Sequence, residues 1–189
     1  MNYYPIHHLA EQVIALKANH KHVLITGSQN TGKSALLLRS LAWMPWPEKR
    51  LLGLLSMWKK DDLILELRPP YKGQPQEPAL LARRQDNAVV ELDEGWKAAT
   101  ELAQALLRHS EKFCWIDEIG FMDGNHSTYA QALLSIFAQR DVMAVIRRDR
   151  CFVWDHLSDL GDVAVVDLDP LYGLAEPLPY KECVPLTKK

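Results

Sequence analysis

The sequence predicts an α/β fold in which helices cover both faces of a mostly parallel sheet. Short β-rich apolar runs alternate with segments whose apolar residues recur at helical spacing, a pattern typical of such sheets. A glycine-bounded turn at 27–34 joins the first run to a helix, and a later run ends in two acids, Asp117 and Glu118. No repeat or linker divides the 189 residues, so we expect one domain, with an N-terminal helix at 1–20 and a proline-rich tail at 170–189.

Helix and strand signals define the first elements of the chain. Apolar residues at helical spacing predict a helix at 7–18, and the β-rich run 21–26 predicts the first strand. The glycine-bounded turn opens a helix at 31–43, which ends before the prolines of the segment 44–49. This strand–turn–helix succession is the context that a phosphate-binding loop requires.

A β-hairpin is predicted between this first unit and the second half of the chain. Its two apolar runs, 51–58 and 63–67, enclose a polar turn at 59–62. A loop rich in proline and glycine follows at 68–79, and 87–92 predicts a short edge strand.

The second half of the chain alternates helical and β-rich segments, which is the pattern of a parallel sheet with crossover helices. The predicted helices span 95–109, 127–138 and 152–160, and the predicted strands span 112–116, 142–146 and 163–168. The final residues carry four prolines and are predicted to lie extended over the surface.

Composition and charge limit the classes of partner. The 22 basic and 24 acidic residues give a formal charge of −2, which does not favour a general binder of nucleic acid or membrane surfaces. No apolar run approaches the ~18 residues that span a bilayer, and the first residues lack the features of a signal peptide. Cys114, Cys151 and Cys183 are too scattered for a disulfide framework or a zinc site, and we expect the first two to be buried. We therefore expect a cytoplasmic protein that binds neither membranes nor nucleic acid.

The turn after the first strand has the composition of a phosphate-binding loop. It fits the pattern G-x-x-x-x-G-K-[ST], with Gly27, Gly32, Lys33 and Ser34 in the fixed places. Glycines let backbone N–H groups surround an anion, and the positive end of the following helix points at the same anion. We expect an exposed Lys33 to contact the β- and γ-phosphates of a nucleoside triphosphate, and Ser34 to bind Mg²⁺. The predicted nucleotide-binding residues are Gly27, Ser28, Gln29, Asn30, Thr31, Gly32, Lys33, Ser34 and Ala35.

Asp117 and Glu118 stand at the carboxyl end of a predicted strand, where open α/β sheets bind ligands. An aspartate there can bind Mg²⁺ opposite Ser34. The next carboxylate, Glu118, can reach toward the γ-phosphate and orient or deprotonate an attacking water. We expect the two side chains to leave the strand in different directions. The alternative is that the two acids form only the polar end of a strand before a turn.

Motifs along most of the chain resemble one known family. In order they are ITGSQNTGKSALL, GLLSMWKKDDLILEL, NAVVELDEGW, IDEIGFMD, YAQALLSIFAQRDVMAVIRR and VAVVDLD. The chain resembles the cancer-related nucleoside-triphosphatase family of P-loop proteins, as a divergent bacterial-type member. The run DEIGFMD at 117–123 is the most specific part, because a phosphate-binding loop alone is too common to indicate a family.

The resemblance implies a RecA-like P-loop domain with slow, Mg²⁺-dependent hydrolysis of several nucleoside triphosphates. It assigns 27–34 to nucleotide binding, Asp117 to the Mg²⁺ side and Glu118 to water activation. We expect the strand order 5-1-4-3-2, in which the strand 142–146 lies between those of the loop and of Asp117. The loop interior, Phe121 in place of the usual lysine, and the basic, aromatic segment after 142–146 depart from the family pattern. These departures bear on the preferred nucleotide more than on the fold.

Three arginines follow the strand 142–146 near the predicted phosphate site. Arg147, Arg148 or Arg150 could stabilise transition-state charge as an arginine finger does. Alternatively these arginines are solvated or pair with Asp149 and Asp155. Arg147 and Arg148 are included among the predicted catalytic residues, together with Lys33 and Glu118.

Other side chains give weaker signals. No Asn-Lys-x-Asp stretch predicts guanine selectivity, so we expect ATP and GTP to be used at similar rates. Trp43 and Trp46 either stack on a base or cover the core. Arg83 and Arg84 are weaker candidates for a finger, and His126 is predicted to cap a helix.

The sequence thus predicts a Mg²⁺-dependent nucleoside triphosphatase. One alternative is a nucleotide or metabolite kinase, in which Glu118 or Asp117 accepts the proton of a substrate hydroxyl and the segments 68–84 or 147–150 supply arginines. The other is a nucleotide-gated interaction module whose tail binds a protein partner that the sequence does not identify. Phosphate release without an added acceptor distinguishes the hydrolase from the kinase, and very slow turnover coupled to partner binding favours the module.

Overall fold

In the described part of the chain, eight strands form one sheet with helices between them. The computed structural model describes residues 6–45, 51–68, 76–86 and 88–186. The strands are β1 (His22–Thr26), β2 (Gly53–Lys59), β3 (Asp62–Arg68), β4 (Ala79–Gln85), β5 (Ala88–Glu91), β6 (Phe113–Ile119), β7 (Asp141–Ile146) and β8 (Val163–Asp167). The helices are α1 (Ile6–Asn19), α2 (Lys33–Trp43), α3 (Asp93–Arg108), α4 (Ser127–Gln139) and α5 (Asp169–Tyr172), and a 3-10 helix spans Phe152–Asp159.

The strand order is β5-β4-β3-β2-β6-β7-β1-β8. The pairs from β8 to β2 are parallel and those from β2 to β5 are antiparallel, so the sheet is mostly parallel, as predicted. The order differs from the predicted 5-1-4-3-2, because β3, β4 and β5 extend the sheet beyond β2. Since β7 pairs with both β1 and β6, the carboxyl ends of these three strands lie side by side.

Helices cover both faces of the sheet. Leu24 of β1 packs into a core that includes residues of α3 and α4, whereas Val23 and Ile25 pack into a core that includes residues of α1 and α2. Because successive side chains of a strand point to opposite faces, the two cores lie on opposite sides of the sheet. All five residues of β1 and of β8 are buried, as expected for parallel strands covered on both faces.

Among the strands from β2 to β5, the sequence pattern predicted the hairpin and the edge strand but not β4. β2 and β3 form the predicted hairpin, with the left-handed residue Lys60 in its turn. β5 lies at the edge of the sheet, as predicted. β4 has no counterpart among the predicted strands, because its buried first half and exposed Arg83–Gln85 end do not alternate with period two.

The chain after β8 packs along the edge of the sheet. It starts with the short helix α5, not with the predicted extended segment. Val165 of β8 then accepts a hydrogen bond from the N–H of Val184 and donates one to the carbonyl of Glu182, both at 2.8 Å. Leu186 is buried in the core that includes α1 and α2. The tail is therefore part of the packed structure up to the last described residue.

Three further expectations concern the whole chain. Cys114 and Cys151 are buried free thiols, as predicted, and Cys183 is partly buried. Among the described residues, no helix has the length and apolar character needed to cross a membrane. Trp46 and most of the predicted loop 68–79 lie outside the described residues.

Gly95 allows α3 to lie directly against β4. A Cβ atom at this position would lie 1.7 Å from the carbonyl oxygen of Leu80, which belongs to the backbone and cannot turn away. We expect Gly95→Ala to separate helix and strand and to lower the free energy of unfolding by about 1–3 kcal/mol or more. Thermal unfolding measures this change, and Gln104→Ala, at an exposed position of α3, provides the control. A Gly95→Ala midpoint equal to that of Gln104→Ala would contradict the close packing of α3 on β4.

Candidate functional site

A cavity of about 830 Å³ opens at the carboxyl ends of the central strands. It combines segments that are distant in sequence, because the parallel strands all end at this edge of the sheet. Its walls come from the turn 27–35 without Thr31, Glu118 near the end of β6, the segment 120–122 after β6, the segment 147–150 after β7, the hairpin residues 56–58 and Leu63, and Arg84 of β4.

The turn between β1 and α2 is shaped by three residues with positive φ. They are Gly27 at 144°, Asn30 at 63° and Gly32 at 87°. Gly32 directly precedes α2, and its backbone has the left-handed conformation, which residues with a side chain rarely adopt. The first N–H groups of a helix have no partners within the helix, and Ser34 and Ala35 of this first turn line the cavity. The turn can therefore present backbone N–H groups to an anion.

The Lys33 side chain lies within the turn. It is only 8% exposed, and its ammonium donates to the carbonyls of Gly27 at 3.0 Å and Ser28 at 2.8 Å. The expectation that Lys33 is exposed is therefore wrong, because these two backbone oxygens hold the ammonium at the bottom of the turn. Thr31, which is also buried, donates its hydroxyl to the carbonyl of Ser28 at 2.9 Å. The turn thus has a fixed shape and a positive charge at its centre.

A buried ionic network supports the turn at Ser28. Asp169 accepts hydrogen bonds from the Ser28 N–H at 2.6 Å and from its hydroxyl at 2.8 Å. Arg148 donates to Asp169 at 3.1 Å, to Asp167 at 2.6 Å and to the carbonyl of Glu176 in the tail. The Arg148 side chain is 14% exposed and both carboxylates are nearly inaccessible. Arg148 is therefore bound within the protein and links the turn to the chain after β8.

The sequence interpretation missed this network. It considered Asp149 and Asp155 as partners of the arginines, but Arg148 pairs with Asp167 and Asp169 instead. The signal was present in the two acids of the closing run VAVVDLD, because Asp167 ends a buried strand next to β1 and Asp169 follows two residues later. Their partner is 19 and 21 positions earlier, and only the packing of β8 on β1 identifies it.

Ser34 and Asp117 meet although 83 positions separate them. The Ser34 hydroxyl donates to Asp117 Oδ1 at 2.9 Å, and Asp117 is 3% exposed at the end of β6. Burial raises the pKa of Asp117 to about 6, against the opposing effect of the Ser34 hydrogen bond. The two groups offer hard oxygen atoms, which suit Mg²⁺. Among the described residues no three His, Cys, Asp or Glu side chains form a metal cluster, so a cation here would need further oxygens from its ligand and from water.

Glu118 faces the cavity beside Asp117 but has different partners. The pairing of β6 with β7 runs from Asp117–Val145 to Ile119–Ile146 and skips Glu118. The carboxylate of Glu118 is partly exposed and lies 3.7 Å from Nε of Arg147. The Arg147 guanidinium also lies over the ring of Phe121, 5.5 Å from its centroid. A carboxylate and a guanidinium therefore stand together at the open part of the cavity, next to Asp117.

No family model, curated protein or solved structure matches the chain. The resemblance to the cancer-related nucleoside triphosphatases stays a prediction from the motifs. The function is therefore inferred from the site itself.

The structure brings most of the predicted site residues together. Those that line the cavity are Gly27, Ser28, Gln29, Asn30, Gly32, Lys33, Ser34, Ala35, Glu118, Arg147 and Arg148. Thr31 supports the turn without lining the cavity, and Asp117 borders it through Ser34. Met57, Trp58 and Arg84 also line the cavity. Met57 and Trp58 were not predicted to lie beside the turn, whereas Arg84 was one of the weaker candidates for an arginine finger.

Two side chains that drew attention in the sequence contact other parts of the protein. Trp43 stacks on His7 with ring centroids 5.0 Å apart, and the Trp46 prediction lies outside the described residues. His126 occupies the position before α4 but makes no capping hydrogen bond with its side chain. Its side chain stacks on Trp96 at 4.2 Å and contacts Glu91 at 2.7 Å, so His126 stands at the predicted cap position but its side chain binds elsewhere.

Asp123 is a buried carboxyl group behind the cavity wall. It accepts the N–H of Gly120 at 2.6 Å, and burial raises its pKa to about 7 despite this hydrogen bond. The bond fixes the turn 120–123 that follows Glu118. A charge in this place costs stability because the interior solvates it poorly.

Replacement of Asp123 by asparagine tests this cost. The folded-state pKa, about 7, lies above the ordinary value of 3.8, so the folded protein binds more protons than the unfolded chain between these pH values. The wild type should therefore lose stability relative to Asp123→Asn as the pH rises from about 4 to about 7, with no further loss above. Denaturant unfolding of both proteins across this range measures the difference. A difference that does not change with pH would contradict the burial of an ionisable group here.

Proposed function

We propose that this protein is a Mg²⁺-dependent nucleoside triphosphatase that binds ATP or GTP in the cavity and transfers the terminal phosphoryl group to water. The observation that carries this proposal is the 2.9 Å hydrogen bond between Ser34 and Asp117. It joins the start of α2 to the end of β6, beside a turn that can surround an anion. A phosphate group in the turn would therefore lie next to the two acids near the end of β6, Asp117 and Glu118.

The turn and Lys33 are proposed to bind the phosphates. Backbone N–H groups from 29–35 and the N-terminus of α2 favour negative charge. The Lys33 ammonium now bonds to two backbone carbonyls. A phosphate oxygen is a charged and stronger acceptor than a carbonyl, so Lys33 can exchange one of these bonds for it.

Ser34 and Asp117 are the residues that would hold Mg²⁺. When bound, the ion would neutralise negative charge on the phosphate oxygens. The Ser34 hydroxyl donates to Asp117 and so already orients both oxygen atoms toward one place. The buried position of Asp117 excludes solvent from one side of the pair.

Glu118 is proposed to orient and deprotonate the attacking water. Its carboxylate is one residue beyond Asp117 and faces the cavity, and its backbone carbonyl lies 3.5 Å from the Ser56 hydroxyl. Arg147 lies beside it and is the arginine that we assign to the stabilisation of developing negative charge. We no longer assign this role to Arg148, because Asp167 and Asp169 hold its guanidinium.

Substitution of Glu118 tests the assignment of the base. Glu118→Gln keeps the size of the side chain and removes its basicity. A positioned carboxylate base contributes about 10²–10⁴-fold in rate, so single-turnover hydrolysis should slow at least about a hundredfold while nucleotide affinity stays nearly unchanged. Asp117→Asn should instead weaken Mg²⁺ binding, so its activity should recover in part as the Mg²⁺ concentration is raised.

Asp149→Asn is the matched control, because Asp149 is the other carboxylate among the described residues that line the cavity. It should hydrolyse at a rate similar to that of the wild type. Hydrolysis by Glu118→Gln at the wild-type rate would remove the main support for the hydrolase. A wild type that releases phosphate only when a second substrate is added would identify a kinase.

Substitution of Lys33 tests the binding of phosphate. Lys33→Ala should abolish tight binding of a non-hydrolysable ATP analogue in calorimetry, because it removes the ammonium at the centre of the turn. Lys21→Ala is a close control, since Lys21 also donates to two carbonyls, of Phe137 at 3.2 Å and Ala138 at 3.0 Å, but away from the cavity. The two variants should lose comparable stability, on the order of 1 kcal/mol for each hydrogen bond. Unchanged affinity in Lys33→Ala would show that the turn is only structural.

A further inference from the structure

We propose that the cavity holds a second ligand site, for an anion that carries an aromatic ring, of the nucleoside monophosphate class. This hairpin subsite is formed by Ser56, Met57, Trp58, Leu63 and Arg84. The proposal rests on the proposed function, in which the turn at 27–35 binds the phosphates of the triphosphate.

Seen from β1 and the turn, the hairpin subsite lies beyond the place proposed for the terminal phosphate. Ser34 contacts Asp117, so the end of the turn that would hold this phosphate faces β6. β2 is the next strand after β6, and β3 and β4 lie further from β1. With roughly 4.8 Å between neighbouring strands, β2 lies about 14 Å from β1. The phosphates bound by the turn therefore leave this part of the cavity free.

The cavity carries more positive charge than the turn requires. Of the residues that the structure describes, five basic side chains line it, Lys33, Arg84, Arg147, Arg148 and Arg150, and two acidic ones, Glu118 and Asp149, although the whole chain has a net charge of −2. Lys33 belongs to the turn and Arg148 to the buried network. Arg147 lies beside Glu118 and is assigned to the terminal phosphate, so Arg84 and Arg150 are the cavity arginines that remain for a second anion.

Arg84 is the basic residue of the hairpin subsite. The basic residues near it, Arg83 and Lys59, form ion pairs with carboxylates, whereas Arg84 pairs with none that the structure describes. Arg83 forms an ion pair with Asp62 at 2.6 Å, and Lys59 forms one with Glu66 at 2.7 Å. Among the described residues Arg84 has no such partner. Its guanidinium instead lies over the Trp58 ring, 4.2 Å from the centroid. A stacked guanidinium keeps its N–H edge free, and this edge matches a phosphate or carboxylate.

Aromatic side chains accompany arginines on two walls of the cavity. Trp58 is 37% exposed beneath Arg84, and Phe121 is 44% exposed beneath Arg147. Exposed aromatic rings at a cavity wall can stack on a planar ring, and nearby arginines strengthen such contacts. A nucleoside monophosphate carries both groups in one molecule: a planar ring that can stack here and an anionic group that can reach Arg84.

The test is calorimetry on the full chain saturated with Mg²⁺ and a non-hydrolysable ATP analogue. AMP and GMP are titrated as probes, with adenosine and inorganic phosphate as partial ligands. We expect one monophosphate to bind per chain in addition to the analogue, and each partial ligand to bind more weakly. Arg84→Gln and Trp58→Leu should each weaken monophosphate binding about tenfold or more. Arg83→Gln removes the neighbouring arginine, which is paired with Asp62, and should leave both monophosphate binding and ATP hydrolysis unchanged.

Three results would overturn the proposal. The first is that the loaded protein binds neither AMP nor GMP. The second is that Arg84→Gln and Trp58→Leu weaken the ATP analogue itself, which would identify the subsite as the place of its base. The third is that Arg83→Gln weakens AMP as much as Arg84→Gln does. A protein that binds AMP with the expected dependence on Arg84 but binds no ATP analogue would support the subsite and contradict the proposed function.

Discussion

The parallel pairing of β6, β7 and β1 is the constraint on which the site depends. It places three carboxyl ends side by side, so that residues from 27, 117 and 147 onward meet at one cavity. The Ser34–Asp117 hydrogen bond is possible only in this arrangement, since the two residues belong to elements that are separated by the hairpin, β4, β5 and α3. Burial of β1 on both faces fixes the height of the turn relative to the end of β6, because a shift would expose apolar side chains to water.

Charge balance around the turn follows from the same packing. β8 pairs with β1 and brings Asp167 and Asp169 beneath Ser28, where two carboxylates alone would repel one another. Arg148, at the end of β7, joins both and makes their burial acceptable. One arginine of the 147–150 segment is thereby bound in the interior, while Arg147 stays at the cavity beside Glu118. The two adjacent arginines beyond β7 thus have different contacts: Glu118 for Arg147 and the two aspartates for Arg148.

Much of the fold was predictable because its signals are local. Helical periods, β-rich runs and turn residues predicted the five parallel strands, the hairpin and the four longer helices within a few residues of their observed bounds. β4 escaped prediction because α3 covers only its first half, with Gly95 against Leu80, so that its burial does not alternate. The full strand order also differed from the prediction. The three strands β3, β4 and β5 extend the sheet beyond β2, and this extension depends on contacts between distant segments.

The sequence by itself determined the composition of the site: a glycine turn with Lys33 and Ser34, and an acidic pair at the end of an apolar strand. These features depend on residue types at short spacing, and short spacing is fixed by the local backbone geometry. Only the tertiary structure decided that Lys33 is buried, that Arg148 is bound by Asp167 and Asp169, and that Trp58 and Arg84 share the cavity with the turn. Each of these facts joins side chains across several strands, and such pairings follow from how the sheet is assembled and packed rather than from any local pattern.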